Sequence, residues 1–282
     1  MVAAFPDVPS RLVRSPDGTR IAVFTTGAAD GPPLVLVHGT TGDHRTWRVV
    51  GPALARRHAL HAIDRRGRGD SGDGAAYAIE RELEDVAAVT EALAAESGVP
   101  VDVVGHSLGG RIALGATLLT RSIRRVVAYE SAPTRKAAGE SAGESAGDDL
   151  LARLRADLAA GDLEALLARF MTEVTGMTEA DLARFRADPV WPLRVAAAPT
   201  IVRELEAADG APAVSMNALA RVAVPVLQLV GSASPPAFRD GAAALDARLP
   251  RGRLITIEGA RHGAHHSHPA AFIAAVERFL AS

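Results

Sequence analysis

The stretch Val101-Asp-Val-Val-Gly-His-Ser-Leu-Gly-Gly110 passes from an apolar, β-branched run through Gly105-His106-Ser107-Leu108-Gly109 into a segment of helical period, Leu108 to Leu119. A strand that turns at once into a helix lifts the serine oxygen out of the sheet. Glycines must flank such a turn, because any Cβ would clash where strand and helix pass closely. The same geometry puts a helix N-terminus beside negative charge developing near Ser107. This is the pattern of a nucleophile elbow. With 26 Gly in the chain, three fixed positions match by chance in about one sequence in ten, so the surroundings must carry the reading.

Working outward, further short apolar runs lie at Pro33 to Val37, Leu60 to Ile63, Val126 to Tyr129, Val224 to Val230 and Leu254 to Ile257. They are nearly continuous rather than alternating, as strands covered on both faces of a parallel sheet should be. Helix-periodic segments such as Ile79 to Ala95 separate them. Strand, helix, strand, helix in this order predicts right-handed crossovers and a doubly wound, mostly parallel α/β sheet flanked by helices. Arg11 to Arg14 and Thr19 to Thr25 flank Asp17-Gly18, which predicts an antiparallel hairpin at the start of the sheet.

The pattern changes after Tyr129. Asp148 to Ala208 holds several helical stretches and no convincing strand, which reads as a helical insertion between two strands. The expected division is core over 1–133, insertion over 134–218 and core again over 219–282. Ala137 to Gly147, with its Gly-Glu-Ser-Ala repeat, carries nothing apolar larger than alanine to anchor it and is expected to be a mobile hinge. Pro189, Pro192 and Pro199 predict short irregular pieces around Trp191 and Leu193.

Composition limits the function classes. The chain has 282 residues, 48% of them hydrophobic and 23% charged, enough for a large buried core. Its 31 Lys+Arg against 33 Asp+Glu give a net charge of −2 with no block of one sign, so no nucleic-acid partner is expected. With no cysteine there is no disulfide, thiolate nucleophile or Cys-ligated metal. The start Met1-Val-Ala-Ala-Phe-Pro-Asp7 lacks the basic and apolar regions of a signal peptide, which makes the cytoplasm the expected compartment. Every apolar run is far shorter than the ~20 residues needed to cross a bilayer, so no membrane span is expected.

Four separated motifs then come together: Leu36-Val-His-Gly-Thr40, Asp64-Arg-Arg-Gly-Arg-Gly-Asp-Ser-Gly72, Gly105-His-Ser-Leu-Gly109 and a late Gly259-Ala-Arg-His262. In order and spacing the chain, from about Arg11 to its end, resembles the α/β-hydrolase superfamily. The resemblance implies Ser107 as nucleophile and His262 as its base, with His265 in reserve. The oxyanion would be bound by the backbone N–H groups of Leu108 and of Thr40, the residue after the His-Gly pair. The helical insertion looks like the cap of capped members. A loop histidine can reach Ser107 because the carboxyl ends of all strands share one rim. The Asp64 to Gly72 turn fits no dinucleotide or Walker spacing and is assigned to folding.

The acid departs from the common pattern. Many members carry an aspartate shortly after the strand that here ends near Val230, whereas this chain reads Gly231-Ser-Ala-Ser-Pro-Pro236. Ser232 and Ser234 supply no charge, yet an imidazolium needs a carboxylate to fix its tautomer. Glu130, at the end of the strand after the elbow helix, is the first candidate and Asp240 the second. The plain alternative for Glu130 is a hinge residue that pairs with the insertion. Thr41, His44, Trp47 and Trp191 are candidate substrate-binding residues. Phe170, Met171, Met177 and Phe185 read first as the insertion's own core. The cluster His262 to His268 lacks a nearby acid, so no metal is expected, and no cofactor.

These residues imply a serine hydrolase acting on a small-molecule carboxylic ester of mid-sized apolar character, with thioester and amide as variants. The alternatives are a lyase, C–C hydrolase, perhydrolase or cyclase on the same fold, and a ligand-binding protein with a silent triad. A homodimer is left open.

Overall fold

The computed structural model describes residues 5–132, 144–208 and 210–282, with side chains in the second stretch from 149 onward. Its strands are β1 (Arg11–Arg14), β2 (Arg20–Gly27), β3 (Pro33–Val37), β4 (Ala59–Ile63), β5 (Val101–His106), β6 (Ile123–Tyr129), β7 (Val226–Gly231) and β8 (Gly252–Ile257). They form one sheet in the order β1-β2-β4-β3-β5-β6-β7-β8. β2 runs antiparallel to β1 and β4, and the remaining pairs are parallel. The hairpin at Asp17-Gly18 is present, with Gly18 at φ 88.

Several strands start or end a few residues away from the apolar runs, and two of these shifts have a clear cause. β6 begins at Ile123 rather than Val126 because its two arginines have distant partners: Arg124 is bidentate to Asp102, and Arg125 donates to the carbonyls of Phe279 and Leu280. β7 begins at Val226, after Pro225, whose nitrogen cannot donate to a ladder.

Alternation along the central strands divides the core between two faces. Val35 and Val37 of β3, Val101 and Val103 of β5 and Val126 of β6 join one cluster. That cluster is completed by α2 (Ile79–Ser97), α3 (Leu108–Ala116) and α10 (Pro236–Asp246). Leu34, Leu36, Val104, Val127 and Tyr129 face the other side with Trp47, α1 (Gly51–Leu54) and α12 (Pro269–Leu280), which α11 (Ala264–Ser267) precedes. Both faces are covered, which is why the strands read as continuous apolar runs. Each fully buried Val or Leu contributes about 1.5–3 kcal/mol.

Between β6 and β7 lie α4 (Glu144–Ala159), α5 (Leu163–Arg169), α6 (Glu179–Arg186), α7 (Trp191–Ala197), α8 (Thr200–Ala208) and α9 (Met216–Leu219). Leu154, Leu166, Leu167, Phe170, Met171, Trp191 and Ile201 pack into a third cluster of their own. Trp191 and Leu193, expected on irregular backbone, stand in the first turn of α7. Pro192 is compatible there, because N–H groups of a first helical turn have no intrahelical acceptor. Of the expected hinge, 137–143 lies outside the described residues and 144–147 is helical. No helix among the described residues is long and apolar enough to cross a membrane.

Candidate active site

Register places several loop departures on one rim. Val37 pairs with Gly105, His106 with Tyr129 and Tyr129 with Leu229, so the loops after β3, β5, β6 and β7 leave the sheet at the same level. The chain steps from β3 to β4 on one side and returns to β5 on the other, so the crevice beside β3 is the topological switch point where open α/β sheets place their sites.

Ser107 stands between β5 and α3 with φ 54 and ψ −128, outside the comfortable range of a side-chain-bearing residue. Such a residue costs of order 1–3 kcal/mol and persists only where its surroundings over-determine it. Here the Ser107 N–H donates to the Tyr129 carbonyl at 2.8 Å, and its own carbonyl accepts from Gly110 and Arg111. A Cβ on Gly105 would overlap the backbone of Gly110, and one on Gly109 the carbonyls of Val37 and His38, so both glycines are required by close approach. Leu108 opens α3, and its N–H has no acceptor within the helix.

The loop after β3 packs on the serine. A Cβ on Gly39 would lie 3.0 Å from the Ser107 Cβ. The loop closes as a β-turn in which Gly42 N–H donates to the Gly39 carbonyl at 3.0 Å, with Thr40 second and Thr41, at φ 61, third. His38 braces it: Nε2 accepts from the Arg65 N–H at 3.0 Å, so Nδ1 carries the proton donated to the Gly39 carbonyl at 2.8 Å. Burial, then Arg65, pushes His38 far below the ordinary histidine range, which keeps it neutral.

Glu130 follows β6 at φ 49 and is 3% exposed. Its Oε2 lies 2.6 Å from His262 Nδ1, while Oε1 accepts from the Gly231 N–H at 2.8 Å and from the Ser234 hydroxyl. The His262 loop is fixed by neighbours of the nucleophile and of the acid. His106 Nε2 donates to the His262 carbonyl at 2.8 Å, and the Tyr129 hydroxyl donates to the Arg261 carbonyl and accepts from the Ala264 N–H. Phe238 lies against the imidazole with ring centroids 4.6 Å apart. Burial, then the neighbouring His262 imidazole, holds His106 far below the ordinary histidine range.

The structure therefore joins Glu130 to His262 and brings the Thr40 loop against Ser107. Among the described residues no direct hydrogen bond joins Ser107 to His262. Asp240 is exposed on α10. His265 is buried against Trp47, His106 and Tyr129, with its Nδ1 unpaired.

Three candidate pocket residues have their side chains committed to packing. His44 Nδ1 lies 2.9 Å from Asp64 and its ring stacks on Phe24. Trp47 belongs to the core beneath the sheet, and Trp191 to the core of the α4–α8 helices, edge-on to Phe185. Thr41 is buried, and its carbonyl accepts from Arg194 of α7 at 2.7 Å. Sequence reasoning missed Ser234, Tyr129, His106 and Arg194, whose roles come from partners distant in the chain. Among the described residues no group of three or more His, Asp or Glu is arranged to hold a metal ion.

Residues 34–275 match the alpha/beta hydrolase family. The chain is 44% identical over 103 residues to a probable oxidoreductase, EphD, of Mycobacterium tuberculosis, a match covering 36% of this chain but 17% of that protein. It is 29% identical over 258 residues to the pimeloyl-[acyl-carrier protein] methyl ester esterase of Aeromonas hydrophila, covering 89% of this chain and 96% of the relative. Among solved structures, an alpha/beta hydrolase from Sphaerobacter thermophilus superposes with a TM-score of 0.75 at 30% identity, covering 94% of this chain and all of that one. With strand order, elbow and family match in agreement, the chain belongs to the alpha/beta hydrolase family.

Proposed function

We propose that the protein is a serine hydrolase of carboxylic esters working through an acyl-Ser107 intermediate. The observation that carries this reading is the Glu130 Oε2 to His262 Nδ1 contact of 2.6 Å, on the same rim as a serine held at φ 54. A carboxylate on Nδ1 leaves Nε2 unprotonated and able to act as a base. In the proposed cycle Ser107 Oγ attacks the ester carbonyl as its proton passes to His262 Nε2. The tetrahedral oxyanion is bound by the N–H groups of Thr40 and Leu108. Collapse breaks the bond to the alcohol oxygen, which takes the proton from His262. Water, deprotonated by His262, then attacks the acyl-serine, and Ser107 recovers its proton as the acid leaves.

The relation to a methyl ester esterase over nearly its whole length supports ester cleavage in general. We assign the α4–α8 helices as a cap over the rim. Thr41 stays in the proposed site as a neighbour of the oxyanion donor, whereas His44, Trp47 and Trp191 are left out because their rings are held within packed structure. The test is intact-mass labelling with a fluorophosphonate, followed by an acyl-ester panel of increasing chain length. Wild type gains one label that Ser107→Ala lacks, and the panel sizes the acyl pocket. A folded wild type that neither labels nor cleaves any ester overturns the reading.

A further inference from the structure

We propose that Arg194, on α7, is a positioning residue for the oxyanion loop, its guanidinium clamping the Thr41 carbonyl so that the neighbouring Thr40 N–H is held toward the reacting carbonyl oxygen. This rests on the serine-hydrolase reading and adds a residue of the helical layer to it.

Arg194 is buried. Its Nη1 donates to the Thr41 carbonyl at 2.7 Å and its Nη2 to Thr46 Oγ1 at 2.9 Å, while the nearest carboxylate oxygen, of Asp43, is 3.9 Å away. Buried arginines ordinarily take a bidentate carboxylate, as Arg66 does with Asp85. Arg194 instead commits both terminal nitrogens to one loop, 153 and 148 residues earlier in the chain.

That loop needs an external clamp. In the Gly39 to Gly42 turn the third position has φ 61, a conformation for which glycine is the usual residue, but the residue is the β-branched Thr41. Such a conformation lasts only where contacts fix it, and the Arg194 bond to the Thr41 carbonyl is one that does. Thr40 occupies the second position, whose N–H the turn's own hydrogen bond does not use, so it stays available to a ligand. The turn touches Ser107 through Gly39. The helical layer meets the neighbourhood of this loop a second time through Glu204 of α8, which pairs with Arg65 and Arg68. Burial would raise that carboxyl, but Arg65 and Arg68, helped by the Thr40 hydroxyl, hold it below its ordinary value.

The test compares wild type, Arg194→Met and Arg194→Lys on an acyl ester and its thionoester, in which sulfur replaces the carbonyl oxygen. Oxyanion donors favour oxygen, so the ester-over-thionoester rate ratio reports their alignment. Removing one oxyanion donor costs about 10²–10³ in kcat, and misaligning one costs less. Arg194→Met is therefore expected to lower kcat roughly 30-fold with KM within about 3-fold, and to lower the ratio about 10-fold. Arg194→Lys, keeping a single donor, falls between. Thr41→Gly, which removes the strain at φ 61, is expected to recover part of the Arg194→Met loss. A folded Arg194→Met with unchanged kcat, or with equal losses on ester and thionoester, overturns the proposal. Where Arg194→Met does not fold, an unchanged ratio in Arg194→Lys does the same. Wild type that fails to label at Ser107 overturns the hydrolase reading instead, so the two failures are distinct.

Discussion

Glu130 combines a left-handed backbone with a fully committed carboxylate, and its behaviour is decided at the scale of one side chain. Oxygen Oε1 is held by Gly231 and Ser234, which leaves Oε2 to address His262 alone. Glu130→Gln keeps shape and fold but offers the imidazole the wrong tautomer. It should lower kcat by up to about 10⁴ with an unchanged circular-dichroism spectrum, whereas Asp240→Asn, on an exposed face, should leave kcat within about 2-fold. Loss of activity in Asp240→Asn with retention in Glu130→Gln would reverse the assignment. The buried histidines make a second prediction. Burial, then Arg11, lowers His61 to about 4, and burial, then Arg48, lowers His266 to about 3; His106 and His265 are lowered too. All lie below the ordinary value of 6.5, so the unfolded chain takes up protons that the folded chain refuses. Their contribution to stability is complete above 6.5 and is lost as pH falls toward 4 and below. The urea midpoint should therefore decline from pH 7 to pH 5, and a flat or rising midpoint would contradict the assignment.

At the scale of elements, the β5–α3 junction is the most constrained piece of the fold. Leu108 to Ala116 can start immediately after Ser107 only because Gly105 and Gly110 touch backbone to backbone and Gly109 meets the β3 exit. Gly105→Ala and Gly109→Ala are each expected to destabilise by about 3 kcal/mol, the upper end of the usual cost of overpacking. Gly98→Ala, with nothing within 4 Å of its Cβ but φ 74, isolates the backbone cost and should lose only about 1 kcal/mol. Thermal or urea unfolding of the three variants gives this order directly, and equal losses would show that close approach at the elbow costs no more than a left-handed φ at Gly98.

At the scale of the whole molecule, the helical layer is joined to the sheet layer by buried charge. Glu204 meets Arg65 at 2.8 Å and Arg68 at 2.5 Å, and Arg65 also pairs with Glu82, while Arg203 pairs with Asp73 at a half-exposed edge. Removing one partner of a buried pair leaves the other charge without compensation. Glu204→Gln should cost about 3–5 kcal/mol in urea unfolding. Arg203→Ala should cost less than about 1 kcal/mol, because water already screens that pair. Comparable losses in the two variants would argue against the buried network as the joint between layers.

The eight strands, the hairpin and the serine turn were all legible in the sequence, because their causes are local: apolar runs covered on both faces, Asp-Gly at a tight turn, glycines at a close approach. The proposed acid was half legible. Its absence after β7 was visible at Gly231 to Pro236, and Glu130 was the first candidate to replace it; the Ser234 hydroxyl that steadies it was not, since that contact spans 104 residues. The candidate pocket residues that the proposed site leaves out share one physical reason. His44, Trp47 and Trp191 have residue types that suit a pocket as well as a core, and only packing against Phe24, the sheet and Phe185 assigns them to the interior. Arg194 belongs to no motif of the sequence, and only its bonds to Thr41 and Thr46 single it out. The sequence by itself determined which segments become strands, helices and the serine turn, through short-range sterics and apolar periodicity. Which side chains share a site was decided by the tertiary structure, because strand register and the docking of the helical layer join residues more than a hundred positions apart.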